Sequence, residues 1–224
     1  MGGSSGIGRA LAVAAGRAGN GVAVAARRAD LLEAVATEAG LAAHALVCDV
    51  TDEGACRRLV DEAAAALGGL DSVVYATGAA SLGRIATTGA AAWHRMLATN
   101  VVGASLVVAA ALDHLRRGTV PTVALLSSAT VDRPWPWLIP YEASKAALDV
   151  LGLGLQAEEP WLRVVRIAVG PTLTGFGDGW DPELAEMAFA HWAEEAYLDG
   201  PVGEADALAA SILATLDPES QGGC

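Results

Sequence analysis

The chain of 224 residues carries a formal net charge of −12 and is 53 % hydrophobic, much of that alanine. Such acidity argues against nucleic acid or an anionic membrane surface as a partner, since both require a basic face. No run of 18 or more uncharged apolar residues marks a membrane span. The length suits a single α/β domain over residues 1–224, and three cysteines without metal-ligand spacing fit a reducing, cytoplasmic setting and no metal site.

Met1-Gly2-Gly3-Ser4-Ser5-Gly6-Ile7-Gly8 passes straight into a helix-forming run at Arg9. Glycines at 2, 6 and 8 permit a tight turn and close approach of backbone to a pyrophosphate, which a helix N-terminus then attracts. Gly21–Ala26 reads as a buried strand ending in Arg27 and Arg28, two guanidiniums that either solvate a loop or meet an anion. Asp30-Leu31-Leu32-Glu33 has the pattern of a reciprocal cap for a helix running to about Ala39. Ala43–Val47 is the next strand, followed by Cys48, a small buried hydrophobe, then Asp49 and Val50. Thr51 or Asp52 caps an alanine-rich helix that ends at Gly68-Gly69.

Ser72–Ala76 is a further strand, leading to Thr77-Gly78. Thr88 to about Arg117 is helical but interrupted at Thr99–Gly103, where Asn100 requires partners for its amide. His94 and His114 read as helix-surface residues without partners. Val123–Leu126 is strand-like and Ser128 closes it. After a loop holding Pro134, Trp135, Pro136 and Trp137, whose indoles offer either the walls of a substrate mouth or a surface cover, a helix opens at Tyr141 and runs to Glu159. Tyr141 and Lys145 are four residues apart on that helix, with Cβ atoms roughly 6 Å apart. An ammonium so placed stabilises a phenolate and makes tyrosine usable as an acid or base near neutrality, with Ser128 placed to hold the substrate oxygen. Arg163–Val169 is a strand ending at Gly170, and Glu204–Leu216 is the last helix before a polar C-terminal stretch.

The loop G-x-x-x-G-x-G, with Tyr141-x-x-x-Lys145 and Ser128, resembles the short-chain dehydrogenase/reductase family across nearly the whole chain. The resemblance implies a doubly wound parallel sheet, a Rossmann-like three-layer sandwich. Met1 stands where the family has threonine, and nothing in the sequence supplies the apolar strand that feeds this turn in relatives. The expectation is therefore a sheet lacking its N-terminal central strand, through truncation or a start placed too far downstream, and lacking the C-terminal edge strand as well.

By the same resemblance, Gly2, Ser4, Ser5, Gly6, Ile7 and Gly8 hold the pyrophosphate, and Asp49 with Val50 meets the adenine. Gly78 lets the backbone approach the adenosine ribose. Tyr75-Ala76-Thr77-Gly78 replaces the usual Asn-Asn-Ala-Gly. Ala26 occupies the place of the acidic residue that holds ribose hydroxyls in NAD-dependent relatives, and Arg27 with Arg28 matches members that take a 2′-phosphate. The cofactor implied is NADP(H) in preference to NAD(H). Val169, Gly170 and Thr174 lie on the family's Pro-Gly-x-Val-x-Thr pattern, with Gly170 and Thr174 at the nicotinamide. Asn100 matches the residue that anchors a water relay, and residues 171–200, rich in aromatics, match the variable substrate lid. The helix from Tyr141 matches the one through which relatives form dimers or tetramers.

The activity so implied is interconversion of a carbonyl and an alcohol of apolar body, with Asn100, Ser128, Tyr141 and Lys145 as the catalytic set. The alternative is a catalytically silent sensor or scaffold that binds the dinucleotide. An epimerase or dehydratase of the longer related family fits less well in length and glycine spacing.

Overall fold

The computed structural model describes residues 1–198 and 200–217. Strand β1 (Val22–Ala26) pairs in parallel with β2 (Ala43–Val47), Val22 opposite Ala43. Strand β3 (Ser72–Tyr75) pairs in parallel with β4 (Thr122–Ser128), and β4 with β5 (Arg163–Val169). All of β4 is buried, as expected of an apolar run flanked by strands and covered on both faces.

Helices α1 (Gly6–Arg17), α2 (Ala29–Ala39) and α8 (Ala205–Leu216) cover one face. Leu11 of α1 and Ile212 of α8 pack with Leu126 there. Helices α3 (Glu53–Leu67), α5 (Gly103–Leu115) and α6 (Ile139–Glu158) cover the other, around Val107, Leu125 and Leu148. This is the doubly wound three-layer sandwich expected from the sequence.

Two further elements position the site. Helix α4 (Ala90–Leu97) joins α5 through a π turn at Ala98–Val102, the interruption foreseen around Asn100. Helix α7 (Pro182–Glu194) lies between the short strands β6 (Thr172–Leu173) and β7 (Gly203–Glu204), which pair in parallel and bring together the two ends of the segment that holds it.

Among the described residues no strand lies between β1 and β3. The two half-sheets are joined instead by residues 1–3. The Met1 ammonium donates to the Val74 carbonyl at 2.7 Å, Ala76 N–H to the Met1 carbonyl, and the Gly2 and Gly3 N–H groups to the Ala25 carbonyl. Behind this seam lies a slot of about 950 Å³ lined by Val22, Val24, Val73, Val74 and Leu11. The expected gap is real. The expected lack of a C-terminal edge strand concerns residues 218–224, which lie outside the described residues.

Local signals were mostly obeyed. Asp52 caps α3 by accepting the Ala55 N–H at 3.0 Å, and Gly68 ends it in the left-handed region. The reciprocal cap at Asp30 is not formed: α2 begins one residue earlier, at Ala29, so Asp30 lies in its first turn, where its charge meets the positive end of the helix. His114 is not without a partner, since its Nε2 lies 2.9 Å from an Asp61 carboxylate oxygen on the neighbouring helix α3. The helical run Ala90–Leu115 is long and apolar enough to cross a membrane by length and composition alone. Here Ala104, Val107, Val108 and Ala111 of that run are buried in the core, so it serves as a core helix.

Candidate active site

A single cleft of about 1140 Å³ runs along the C-terminal ends of the strands, where open parallel sheets place ligands. Every site residue expected from the sequence lines it except Asn100, which is fully buried just behind.

At one end the glycine loop turns tightly. Gly2 has φ +78°, and a Cβ there would lie 2.7 Å from the Thr77 nitrogen; a Cβ on Gly8 would lie 2.3 Å from the Gly2 carbonyl oxygen. Helix α1 starts at Gly6 with no side chain capping its first N–H groups and no acidic residue in its first turn, which leaves an anion site of the kind phosphates use. The Arg28 guanidinium donates to the Ser4 and Ser5 hydroxyls at 3.0 and 2.9 Å. Neither Arg27 nor Arg28 makes an ion pair within 4.0 Å among the described residues. Hydrogen bonds from the Thr51 N–H and hydroxyl hold the Asp49 carboxyl below its usual range, and the Arg27 charge adds to that. This end fits an anionic dinucleotide: close backbone approach, helix amides without a side-chain cap, and two arginines held in no ion pair among the described residues.

In the middle, Ser128 at the end of β4 shares a hydrogen bond with the Thr130 hydroxyl at 3.0 Å and lines the cleft together with Tyr141. Burial pushes the Tyr141 phenol up; the nearby Ser128 hydroxyl opposes this, and the neighbouring Glu142 charge adds to the rise. The Lys145 ammonium does not act as expected from its spacing. It donates to the Leu126 carbonyl at 2.6 Å and lies 5.8 Å from the Tyr141 ring centroid. The lysine is lowered to about 8 by burial, against the pull of Asp149. Burial thus outweighs the lowering expected from the spacing, and the Tyr141 phenol stands above its usual range.

Asn100 is held on three sides. Its Nδ2 donates to the Ala79 carbonyl at 2.9 Å and the Ser144 hydroxyl at 2.8 Å, while its Oδ1 accepts the Ala79 N–H at 2.7 Å. The π turn leaves the Thr99 carbonyl free, and the hydroxyl of Tyr75, fully buried, takes it. The residue that replaces the family's first asparagine thus ties the sheet to the turn that carries Asn100.

At the far end the cleft is aromatic. Phe176 stacks edge-on against Tyr141 at 5.0 Å between centroids, and Trp180, Phe189, Trp192 and Tyr197 continue the wall. Thr174 crosses to the glycine loop, where a Cβ on Gly6 would meet it at 3.3 Å. Trp135 faces the cleft. Trp137 does not: its backbone adopts φ +71°, and its ring packs on His191 of α7, outside the lining. Thr130, Arg95 and Arg133 also line the cleft and were not singled out from the sequence, for no motif marks them.

Fold and cleft together define a protein of the doubly wound α/β class with its candidate site at the C-terminal ends of the strands. Residues 1–184 match the family model for short chain dehydrogenases, and the chain belongs to that family. It is 34 % identical over 181 residues to an uncharacterized oxidoreductase, YghA, of Escherichia coli, a match covering 77 % of this chain and 61 % of that protein. It is 35 % identical over 193 residues to the inactive 2-(S)-hydroxypropyl-CoM dehydrogenase 2 of Xanthobacter autotrophicus, covering 81 % and 83 %. The chain thus spans about three fifths of the Escherichia coli relative's length. Among solved structures, an alcohol dehydrogenase of Thermococcus sibiricus complexed with 5-hydroxy-NADP aligns with TM-score 0.75 at 27 % identity, over 91 % of this chain and 92 % of that one. A short-chain dehydrogenase of Streptomyces avermitilis aligns with TM-score 0.82 at 29 % identity, over 97 % and 83 %.

Proposed function

We propose that this protein is an NADP(H)-dependent oxidoreductase that interconverts a carbonyl and an alcohol, with Tyr141 as the acid and base. The observation that carries this reading is the convergence of Ser128, Tyr141 and Lys145 on one cleft, set where its glycine-loop end meets its aromatic end. A nicotinamide cofactor supplies or accepts the hydride when bound. In the reductive direction Tyr141 gives its proton to the substrate oxygen while Ser128 donates a hydrogen bond to that oxygen. Lys145, lowered to about 8, gives the phenol a proton source once it leaves the Leu126 carbonyl. Asn100 retains one acceptor position on its Oδ1 for a relay water, beside Gly78 and the lysine.

Gly2, Gly6 and Gly8 would admit the pyrophosphate, Asp49 and Val50 the adenine, and Gly170 and Thr174 the nicotinamide. The free charge of Arg27 and Arg28 supports NADP(H) over NAD(H). The aromatic wall fits a substrate of apolar body. Exposed Val150 and Leu153 on α6 support assembly into a homodimer or homotetramer.

The test is incubation with NADPH and a panel of carbonyl compounds, alongside the Tyr141→Phe variant. Consumption that the variant abolishes supports the reading; stronger binding of NADH than of NADPH rejects the cofactor assignment. A second reading, a silent dinucleotide-binding sensor or scaffold, is favoured by the raised phenol, the lysine held on Leu126, and a relative named inactive. Tight NADPH binding with no turnover of any carbonyl or alcohol would establish it.

A further inference from the structure

Glu142 follows Tyr141 in the first turn of α6 and is only 4 % exposed. One carboxylate oxygen accepts the backbone N–H of Trp135; the other is buried with no hydrogen-bond partner. No arginine, lysine or histidine pairs with it among the described residues. Buried carboxyls without a cation are uncommon, and half-satisfied ones more so.

What Glu142 holds explains the placement. The Trp135 ring packs on Trp192 at 5.1 Å and on Tyr197 at 5.9 Å, and the Pro136 carbonyl accepts the Trp192 indole N–H at 3.1 Å. Arg133 lies 3.9 Å over the Tyr197 ring and donates to the carbonyls of Glu195 and Ala196 just past α7. The aromatic end of the cleft is thus fastened to residues 133–138, and Glu142 ties that segment to the helix carrying Tyr141.

We infer that Glu142 is a positioning residue: it fixes the aromatic wall at a set distance from Tyr141 and holds a buried carboxyl beside that phenol. The inference rests on the proposed role of Tyr141. From the loop Glu142 meets the Trp135 N–H, and along α6 its charge acts on Tyr141, raising the phenol. Burial lifts the carboxyl itself to about 7, so its charge changes in the range where the enzyme would work.

The test compares Glu142→Gln with Glu142→Ala. Glutamine keeps an acceptor for Trp135 and removes the charge; alanine removes both. Tyr141 ionisation is followed by phenolate absorbance, as the difference from Tyr141→Phe, and the wall by KM for a carbonyl the wild type reduces and by acrylamide quenching of tryptophan. Glu142→Gln is expected to hold KM within about twofold and to move Tyr141 ionisation to lower pH. Glu142→Ala is expected to raise KM about tenfold with a smaller change in kcat and to increase quenching. Unchanged Tyr141 ionisation in Glu142→Gln, or unchanged KM and quenching in Glu142→Ala, overturns the inference. Should the wild type reduce no carbonyl while both optical signals move as expected, the proposed reaction fails and the positioning role stands.

Discussion

In the half of the sheet built from β3, β4 and β5, each strand has a hydrogen-bonded neighbour and the central one is wholly buried. In the half built from β1 and β2, the inner edge meets only the backbone of Gly2 and Gly3, with a slot of about 950 Å³ behind. Ser128 ends a strand of the first half, and Tyr141 and Lys145 stand on a helix packed over it. Arg27 and Arg28 belong to the second, and the glycine loop is the seam. The comparison teaches that chemistry and cofactor binding rest on supports of unequal strength. Tyr141 stands on a helix packed over the wholly buried β4, whereas the glycine loop is only as well formed as the seam it makes.

The sharpest way to separate the halves is Tyr141→Phe. Turnover should fall on the order of 10³-fold, with melting temperature and NADPH affinity unchanged; a variant that still turns over removes the reaction from this half. Next comes the seam. Gly2→Val puts a side chain at φ +78° and 2.7 Å from the Thr77 nitrogen, and should cost about 3 kcal/mol, lowering the melting temperature by roughly 10 °C and weakening NADPH binding.

Filling the slot tests the comparison from the other side. A five-residue apolar extension ahead of Met1 should stabilise the fold by roughly 2–3 kcal/mol, read by thermal melting. It should also erase a pH dependence. Burial lowers the Met1 ammonium from its ordinary 8.0 to about 6. Its contribution to stability is therefore complete above about pH 8 and is lost as pH falls towards 6, by ~2 kcal/mol. An amide in its place does not titrate. The smallest expected effect is Arg28→Ala, which should weaken NADPH roughly tenfold and leave NADH nearly unchanged by titration of either cofactor. Equal loss for both would make Arg28 a structural brace for Ser4 and Ser5.

Much of this was legible from the residues. The continuous apolar run before Ser128 dictated a central strand, glycine spacing dictated the turn, and Asn100 in an apolar helix demanded partners that it has. The unread parts share a cause: a side chain's partner comes from an element far along the chain. Leu126 takes the Lys145 ammonium across the strand–helix interface, Asp61 meets His114, and Trp135 meets Glu142 through its backbone, which no side-chain pattern reveals. Composition left Trp137 either at the mouth or as a cover, and the structure, with φ +71°, packs its ring on His191 of α7.

The hydroxyl of Tyr75 on the Thr99 carbonyl has one more consequence. A π turn holds an extra residue relative to regular helix, so its relaxation to α geometry would rotate the side chains on one side of it against those on the other by about 100°. Asn100 would then leave Ala79 and Ser144. A phenol in the sheet thus works as a phase lock on the helix above it, setting from one layer the angle at which the next presents its amide.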